Sequence, residues 1–403
     1  MEQNALFGIL VVDLTQALAG PYCTQLLADF GARVIKIERP GSGDQSRGWG
    51  PPFVEGESSY FMGTNRNKES LTLDLSRPEA QEVLQPLIAR ADVLIHNIPR
   101  ISSQKKIGID AARVREINPR IIWTAISGFG FSGPEGEKPG YDVIAQGMSG
   151  TMMLTGEPGS GPMRFPTPMA DITTGMYAAM GILTALYERE HSGTGQDLDV
   201  ALLDSQATWL SNVASAFLAT GTAPPKRGNV HPNIAPYQPF EAQDGWFILA
   251  AGTDVHWNKV VDVIATVDVS AADHLREHEA FHTNRDRVAH REEMERAMHP
   301  VLMTRPVTYW ITAFQDVGVP CGPILDAAQA LVHPQLEARN MIVTTEHPRA
   351  GTVRSLGNPI KLQRTPPGVF KAAPQLGEDT ETILREIGLS EKKIQELQGQ
   401  EIV

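Results

Sequence analysis

The chain of 403 residues is longer than one hydrophobic core usually serves, so we expect two domains. With 41% hydrophobic and 20% charged residues, its composition is that of an ordinary globular protein and excludes disordered and fibrous classes. The formal net charge of -12 argues against nucleic acid as a partner, and an anionic ligand therefore needs a local basic pocket.

The two cysteines, Cys23 and Cys321, do not have the spacing of a disulfide framework or a metal site. We interpret both as buried thiols of a protein in a reducing compartment. The N-terminus lacks a basic region followed by a cleavable apolar segment, and no apolar run approaches the ~18 residues of a membrane span. The sequence therefore predicts a cytoplasmic enzyme without a membrane partner.

The first part of the chain alternates between strand and helix patterns. ILVVDL (9–14) and RVIKIE (33–38) are typical of buried strands, and PYCTQLLADFG between them is typical of a helix that ends at Gly31. Further strands are predicted at 70–75, 92–98 and 120–130, with a helix at 77–91. This alternation predicts a parallel α/β sheet.

Parallel sheets bind ligands at the carboxyl ends of their strands. The residues that follow the predicted strands are Leu18, Ala19, Arg39, Asn97 and the loop after Phe129. The nearby GSGDQSRG segment (41–48) lacks the glycine spacing of a dinucleotide loop and follows the second strand of its unit, so nicotinamide binding is not expected.

The second half of the chain predicts a smaller domain. A strand and a long helix at 197–221 precede a segment rich in Pro, Gly and Asn at 222–240, which is typical of a linker. Residues 270–304 are helical in pattern and contain five histidines, some at i,i+4 spacing. Their alternating charges predict a solvated surface, and no metal site is expected.

The segment RFPTPMADITTGMYAAMGILTAL (164–186) carries one acid, Asp171, at the predicted start of an apolar helix. An acid there usually caps the helix, because its carboxylate accepts hydrogen bonds from first-turn amides. Three prolines stiffen the approach, and Gly175 and Gly181 leave room for another backbone or a ligand. Since a helix start favours the ionised form, a carboxylate nucleophile is the alternative, and the residues alone leave both interpretations open.

Several blocks of the chain resemble, in the same order, the class III CoA-transferase family, which includes formyl-CoA, L-carnitine and succinyl-CoA:dicarboxylate transferases. The blocks are DLTQALAGPYCTQLLADFGARVIKIERPGSGDQSRGWGPP, NRNKESLTLDLSRPEA, PGYDVIAQGMSGTMMLTG, ADITTGMYAAMGILTALYERE and LGEDTETILREIGL. The resemblance implies an α/β fold with a Rossmann-like parallel-sheet large domain, formed by residues 1–224 and 326–403. It also implies a smaller α+β domain at 225–325 and an interlocked homodimer, or a heterodimer with a related chain.

The same resemblance implies the chemistry. Asp171 attacks an acyl-CoA thioester to give a mixed anhydride, the released CoA thiolate makes an aspartyl-CoA thioester, and the acceptor acid takes CoA by the reverse steps. CoA is then a substrate, and no cofactor is tightly bound. The implied CoA contacts are Leu18, Ala19, Arg39, Leu73, Asn97, Ile98, Lys106, Lys138 and Tyr141.

By resemblance, the donor is predicted to be succinyl-CoA and the acceptor a dicarboxylate. A distal carboxylate favours a guanidinium fork, for which Arg47 and Arg164 are the candidates, with Trp49 as a wall of the acyl pocket. Arg47 also has an alternative role in an ion pair with Asp44 or Glu55. Leu18 stands where formyl-CoA transferase has a glutamine, which disfavours formyl-CoA:oxalate exchange.

Two other functions stay open. An alpha-methylacyl-CoA racemase needs two titratable groups at one carbon, and the corresponding segment PGYDVIAQG contains no histidine. A CoA-binding partner subunit of a hetero-oligomeric transferase is the other alternative. The intact Asp171 argues against an inactive partner chain.

Overall fold

A computed structural model describes residues 4–403 and divides the chain into two compact units. The first unit contains the chain up to Met152, Arg164–Thr220 and Pro334–Val403, and the second contains Met153–Met163 and Gly221–His333. Segment 153–163 thus lies in the second unit, whereas the sequence analysis placed it in the first part of the large domain.

The strands fall into one large sheet and three small ones. In chain order they are β1 Leu10–Leu14, β2 Arg33–Glu38, β3 Phe53–Val54, β4 Glu57–Ser58, β5 Lys68–Thr72, β6 Val93–His96, β7 Ile122–Ser127, β8 Asp197–Ala201, β9 Tyr237–Ala242, β10 Gly245–Ala250, β11 Cys321–Pro323, β12 Ile342–His347 and β13 Gly351–Leu356.

The helices range from single turns to one of 24 residues. They are α1 Ala19–Asp29, α2 Ser59–Thr64, α3 Gln81–Arg90, α4 Ile101–Ile107, α5 Ala111–Ile117, α6 Asp142–Met148, α7 Thr151–Leu154, α8 Met169–Ser192, α9 Leu202–Ala207, α10 Ser211–Thr220, α11 Asp254–Ala265, α12 Val269–Glu277, α13 Asn284–Ala289, α14 Arg291–Leu302, α15 Val307–Asp316, α16 Ala327–Leu331, α17 Pro334–Ala338, α18 Thr380–Glu386 and α19 Glu391–Gly399.

The first unit is built on a six-stranded parallel sheet with the order β5-β2-β1-β6-β7-β8, so the predicted α/β class is confirmed. Val11 of β1 pairs with Val34 on one side and with Val93 on the other. From β1 the chain adds β2 and β5 on one side of the sheet and then β6, β7 and β8 on the other. The order of the strands therefore reverses between β1 and β6, and a crevice for ligands forms at such a switch point.

The sheet is buried on both faces. One core combines sheet residues with α3, α18 and α19, and the other combines them with α1 and α8. The C-terminal segment is tied to β5 by hydrogen bonds, since the Ser70 amide donates to Asp379 Oδ2 (2.9 Å) and the Thr72 amide donates to Thr380 Oγ1 (3.1 Å). The last residues therefore complete the first unit.

Helices α1 and α8 lie in close contact because a glycine stands at their crossing. A Cβ built on Gly175 would lie 2.6 Å from the Ala19 carbonyl oxygen, closer than atoms can approach. The small residues of α8 therefore serve backbone packing, and the helix starts of α1 and α8 are held near one another.

The prediction of one long helix after β8 is wrong, because the helix is interrupted at Ser211, which has a φ of +37°. Two helices, α9 and α10, replace it. Helix α10 is apolar in composition, with the sequence SNVASAFLAT, yet none of its residues is buried. The apolar pattern that predicted one long helix is thus exposed over its second half.

The second unit has a three-stranded antiparallel sheet in the order β11-β10-β9, with helices α11 to α15. Its core combines aliphatic residues with large aromatic side chains such as Trp257, Phe281 and Trp310. Most of the charged segment 270–304 lies in three helices, α12, α13 and α14, whose polar faces are partly exposed.

Among residues 4–403, one helix, α8, is long and apolar enough to cross a membrane, although no such run was predicted. Half of its apolar window is buried inside the protein. Core helices of globular proteins meet the same test of length and composition, so this single helix is weak support for a membrane span.

Candidate functional site

A cavity of about 590 Å³ opens at the carboxyl ends of the parallel strands, at the switch point between β1 and β6. Its walls come from the loops after β1, β2, β5, β6 and β7 and from the first turn of α8. Lining residues include Leu18, Ala19, Glu38, Arg39, Trp49, Tyr60, Leu73, Asp74, Asn97, Ile98, Tyr141 and Asp171.

The loop from β1 to α1 is held by side chains from neighbouring loops. The Asn97 side-chain amide pairs with the Gln16 backbone, donating to its carbonyl (2.9 Å) and accepting from its amide (3.2 Å). Ala17 has a φ of +70°, and its amide donates to Asp44 Oδ1 (3.1 Å). These bonds fix the loop that leads into the free first-turn amides of α1.

A buried ion network lies under this loop. Lys36 Nζ is 2.9 Å from Asp44 Oδ2 and donates to the Thr15 carbonyl (2.7 Å), and Lys68 Nζ is 3.3 Å from Asp13 Oδ2. Although burial alone opposes ionisation, Lys36 holds the pKa of the Asp44 carboxyl below its usual value. Since a buried charge is tolerated only when paired, the network anchors the loop firmly.

Asp171 is the third residue of α8 and does not cap it. The Asp142 carboxylate, from the start of α6, takes that role: Asp142 Oδ1 accepts from the Ala170 amide (2.8 Å) and from the Asp171 amide (3.4 Å). Within residues 4–403 the Asp171 carboxylate accepts no hydrogen bond, so it is left to face the cavity. The capping interpretation of Asp171 is wrong.

The electrostatics of Asp171 also differ from the expectation of a fully ionised group. Burial, and then the negative charge of Asp142, raise the pKa of Asp171 to about 7. Burial and the charge of Asp171 raise the pKa of the Tyr60 phenol to about 12. At neutral pH the cavity therefore holds a carboxyl group near half ionisation beside a phenol that keeps its proton.

Most of the predicted site residues meet at this cavity. The residues that line it are Asp171, Leu18, Ala19, Arg39, Leu73, Asn97, Ile98, Tyr141 and Trp49. Trp49 contacts Tyr60 edge-on, with ring centroids 5.0 Å apart. Four predicted residues, Arg47, Lys106, Lys138 and Arg164, do not line the cavity.

Arg47 pairs with Glu38 and not with Asp44 or Glu55, the partners that the sequence suggested. Its guanidinium donates two hydrogen bonds to the Glu38 carboxylate (2.7 and 2.8 Å) and lies 3.6 Å from the centroid of the Phe61 ring. Of the other three cations, Lys138 pairs with Glu135 at 2.7 Å, and the side chains of Lys106 and Arg164 are exposed. Arg39 is the one cationic side chain among the lining residues that the structure describes.

The sequence analysis missed Asp142 and Gln146. Their i,i+4 spacing in the segment PGYDVIAQG was a signal that both side chains lie on one helix face. No group of three or more His, Cys, Asp or Glu residues in the described part of the chain is arranged to hold a metal ion.

Comparison with known proteins agrees with this geometry. Residues 6–380 match the model of CoA-transferase family III. The chain is 38% identical to the succinate–glutarate CoA-transferase of Agrobacterium fabrum, with 96% of each chain covered, and 38% identical to the acetyl-CoA:oxalate CoA-transferase of Acetobacter aceti, again with 96% of each covered.

A solved structure of a CaiB/BaiF family protein from Brucella suis superposes with a TM-score of 0.86 at 38% identity, covering 96% of this chain and 100% of that one. The family model and these relatives span nearly the whole chain. The predicted family is confirmed, and the protein belongs to CoA-transferase family III as an enzyme of the CaiB/BaiF type.

Proposed function

We propose that the enzyme moves CoA from succinyl-CoA to a dicarboxylate such as glutarate through covalent intermediates on Asp171. The observation that carries this proposal is a carboxylate without a hydrogen-bond partner, within the described chain, on the wall of the switch-point cavity. The likeness to the succinate–glutarate CoA-transferase supports the choice of substrates.

The reaction proceeds in balanced steps. An oxygen of ionised Asp171 attacks the thioester carbonyl carbon of the donor, the carbon–sulfur bond breaks, and CoA leaves as a thiolate with the bonding electron pair. The thiolate attacks the aspartyl carbonyl of the anhydride and releases the donor acid as a carboxylate. The acceptor carboxylate then attacks the aspartyl-CoA thioester, and the same two steps in reverse give the new acyl-CoA.

The surroundings of Asp171 suit this role. A carboxylate whose pKa is raised to about 7 is more basic than an exposed one and is therefore a better nucleophile once ionised. The first-turn amides of α1 near Leu18 and Ala19 are available donors for the oxyanion that develops on the thioester. The protonated Tyr60 phenol adds a further donor on the same wall.

CoA enters as a substrate and is not held as a tightly bound cofactor. Arg39 is proposed to meet its phosphates at the mouth, with Leu73, Asn97, Ile98 and Tyr141 along the wall. Lys106 and Lys138 remain proposed contacts only for the part of CoA that extends beyond the cavity. Arg47 is engaged by Glu38, so the group that binds the distal carboxylate of the acceptor is not assigned to it.

A cytoplasmic interlocked homodimer is proposed, with a related second chain as the alternative partner. Apolar side chains on the outer faces of two helices support a partner surface: Met176 and Met180 of α8 are more than half exposed, and Leu218 of α10 is 81% exposed. Large exposed apolar side chains grouped on helices in this way are typical of a subunit contact.

Mass spectrometry of the products from succinyl-CoA and a panel of mono- and dicarboxylic acids tests the function. Glutaryl-CoA or another dicarboxyl-CoA is the expected product. Acetyl-CoA with oxalate forms a second arm, because the Acetobacter aceti relative uses this pair. Reaction of branched monocarboxylates alone, or deuterium at C2 of a chiral 2-methylacyl-CoA without an acceptor, would overturn the proposal.

A further inference from the structure

Asp142 belongs to the first turn of α6, but its side chain contacts the start of a different helix, α8. It is the first residue of α6, its side chain is 8% exposed, and it accepts hydrogen bonds from the two amides that open α8, those of Ala170 and Asp171. A side chain from a different element thus caps the helix that carries the nucleophile. The Asp171 carboxylate is spared that task.

Gln146, one turn further along α6, extends the contact. Its side-chain amide donates to Asp142 Oδ2 (2.7 Å), and its Oε1 accepts from the Phe165 amide (2.9 Å). Gln146 is 1% exposed. Together the two side chains bind both ends of segment 165–171, the chain that leads into Asp171, to a single face of α6.

We propose that Asp142, supported by Gln146, is a positioning residue for the Asp171 nucleophile: it fixes the first turn of α8 on α6 and sets a negative charge beside the attacking carboxylate. This inference rests on the proposed role of Asp171. It goes beyond that role by assigning the device that orients the nucleophile and keeps it reactive.

The charge of Asp142 acts on the reaction in one direction. Two carboxylates in a half-buried site repel each other, so the free Asp171 anion is destabilised. When Asp171 becomes an anhydride or a thioester, its charge is lost and the repulsion disappears. The charge of Asp142 therefore raises the free energy of the Asp171 anion relative to the covalent intermediate and so favours attack on the thioester.

Other ionisable groups near this pair do not replace Asp142. Tyr60 of α2 stays protonated beside Asp171. The remaining titratable or charged groups on the cavity wall and on the helices packed against α8 include Tyr22, Cys23, Glu38, Arg39, Asp74, Tyr141 and Asp204. Of all these groups, Asp142 is the one whose charge raises the pKa of Asp171.

The pH dependence of kcat/KM separates the effect of the Asp142 charge from the effect of the hydrogen bonds that hold segment 165–171 on α6. In Asp142→Asn the charge is lost but an oxygen acceptor remains, so the acid limb, centred near pH 7 in the wild type, is expected to move to lower pH by roughly half a unit to one unit. In Gln146→Ala the limb stays in place, while the plateau falls by roughly tenfold because segment 165–171 is loosened. If Asp142 were merely structural, Asp142→Asn would lower the plateau without moving the limb.

Asp110→Asn is the matched control, since Asp110 caps α5 through a bond from the Arg113 amide (3.3 Å) and does not line the cavity. Its profile should match the wild type. An unmoved acid limb in Asp142→Asn, or a plateau in Gln146→Ala equal to that of the wild type, would overturn the proposal.

Carbon-13 NMR of carboxyl-labelled aspartate follows the same ionisation without turnover, with the Asp171 signal assigned by its loss in Asp171→Asn. The midpoint of this signal should also move to lower pH in Asp142→Asn. If Asp142→Asn does not fold, the Gln146→Ala profile decides whether the attachment of segment 165–171 to α6 positions Asp171. If the wild type transfers no CoA, the proposed function fails, while the NMR titration still decides whether Asp142 acts on Asp171.

Discussion

At the scale of single residues, Asp171 stands in an otherwise apolar segment and does not cap the helix in whose first turn it lies. Asp171 leaves the capping of α8 to Asp142 and keeps a half-buried carboxyl group without a hydrogen-bond partner among residues 4–403. Such a group costs stability, and folded proteins retain that cost mainly where chemistry needs it.

The cost predicts a gain in stability when Asp171 is replaced. Burial and Asp142 raise its pKa above the unfolded value, so the stability that the protonated group contributes is lost as pH rises through about 7. We expect Asp171→Asn to raise the free energy of unfolding by about 2 kcal/mol at pH 8, allowing for partial solvent screening, and by less at pH 5.

Thermal unfolding at the two pH values checks this expectation, with Asp110→Asn as a control for the same chemical change at another helix start. A difference between Asp171→Asn and the wild type that is zero, or that is the same at both pH values, would show that the carboxyl group is not destabilised by its surroundings.

A second prediction concerns Arg39, the cation of the cavity lining. Losing a charge-assisted hydrogen bond at an exposed position should raise the KM for acyl-CoA by about tenfold in Arg39→Ala, with a smaller change in kcat. Steady-state kinetics at saturating acceptor measure both constants. Arg77→Ala, which removes an exposed arginine paired with Glu79 outside the lining, is the control and should leave KM unchanged.

The residues after β1, β2 and β6 could be placed at the cavity from the sequence, because parallel strands bring their carboxyl ends to one edge of the sheet. Asp171 was singled out instead by its place at the start of an apolar helix and by the family resemblance. Sequence reasoning did not identify the partner of Arg47. Glu38 is the last residue of β2, nine positions earlier in the chain, and only the fold of the loop after β2 brings the two side chains together. Long-range polar pairs of this kind leave no periodic signal.

At the scale of helices and strands, the contact of α1 with α8 sets the site. In Gly175→Ala the new methyl group would lie 2.6 Å from the Ala19 carbonyl oxygen, and the two helices must move apart. We expect a loss of about 1 to 3 kcal/mol in the free energy of unfolding, measured by chemical denaturation, and lower kcat. Gly63→Ala on α2, with open space around the glycine, is the control. Equal stability of Gly175→Ala and the wild type would contradict the packing role.

Strands β1, β2, β6 and β7 of the large sheet were predictable because they are short and rich in apolar, β-branched residues. The break between α9 and α10 was not. Ser211 has no glycine or proline beside it, so no local sequence signal marks its positive φ.

At the scale of the whole molecule, the exposed apolar faces of α8 and α10 predict a dimer. Sedimentation should give a particle of about twice the 43.9 kDa of one chain, and Leu218→Lys should weaken the association. Glu188→Lys, a change at an exposed polar position of α8, is the control. A fully active single chain would contradict this arrangement.

The assignment of segment 153–163 to the second unit shows a limit of reading domains along the chain. The Gly228 amide donates to the Gly156 carbonyl (3.1 Å), and Lys226 Nζ donates to the Gly161 carbonyl (2.7 Å). These bonds join residues about 70 positions apart, and a boundary drawn from composition alone follows the chain instead.

The most direct test of the account is to trap the intermediate. The enzyme is mixed with succinyl-CoA in the absence of an acceptor, quenched with hydroxylamine and digested, and the peptide that contains Asp171 is analysed by mass spectrometry. The account predicts a hydroxamate on Asp171 that is absent from Asp171→Asn. An unmodified Asp171 in an enzyme that turns over, or CoA transfer by Asp171→Asn at the wild-type rate, would contradict it.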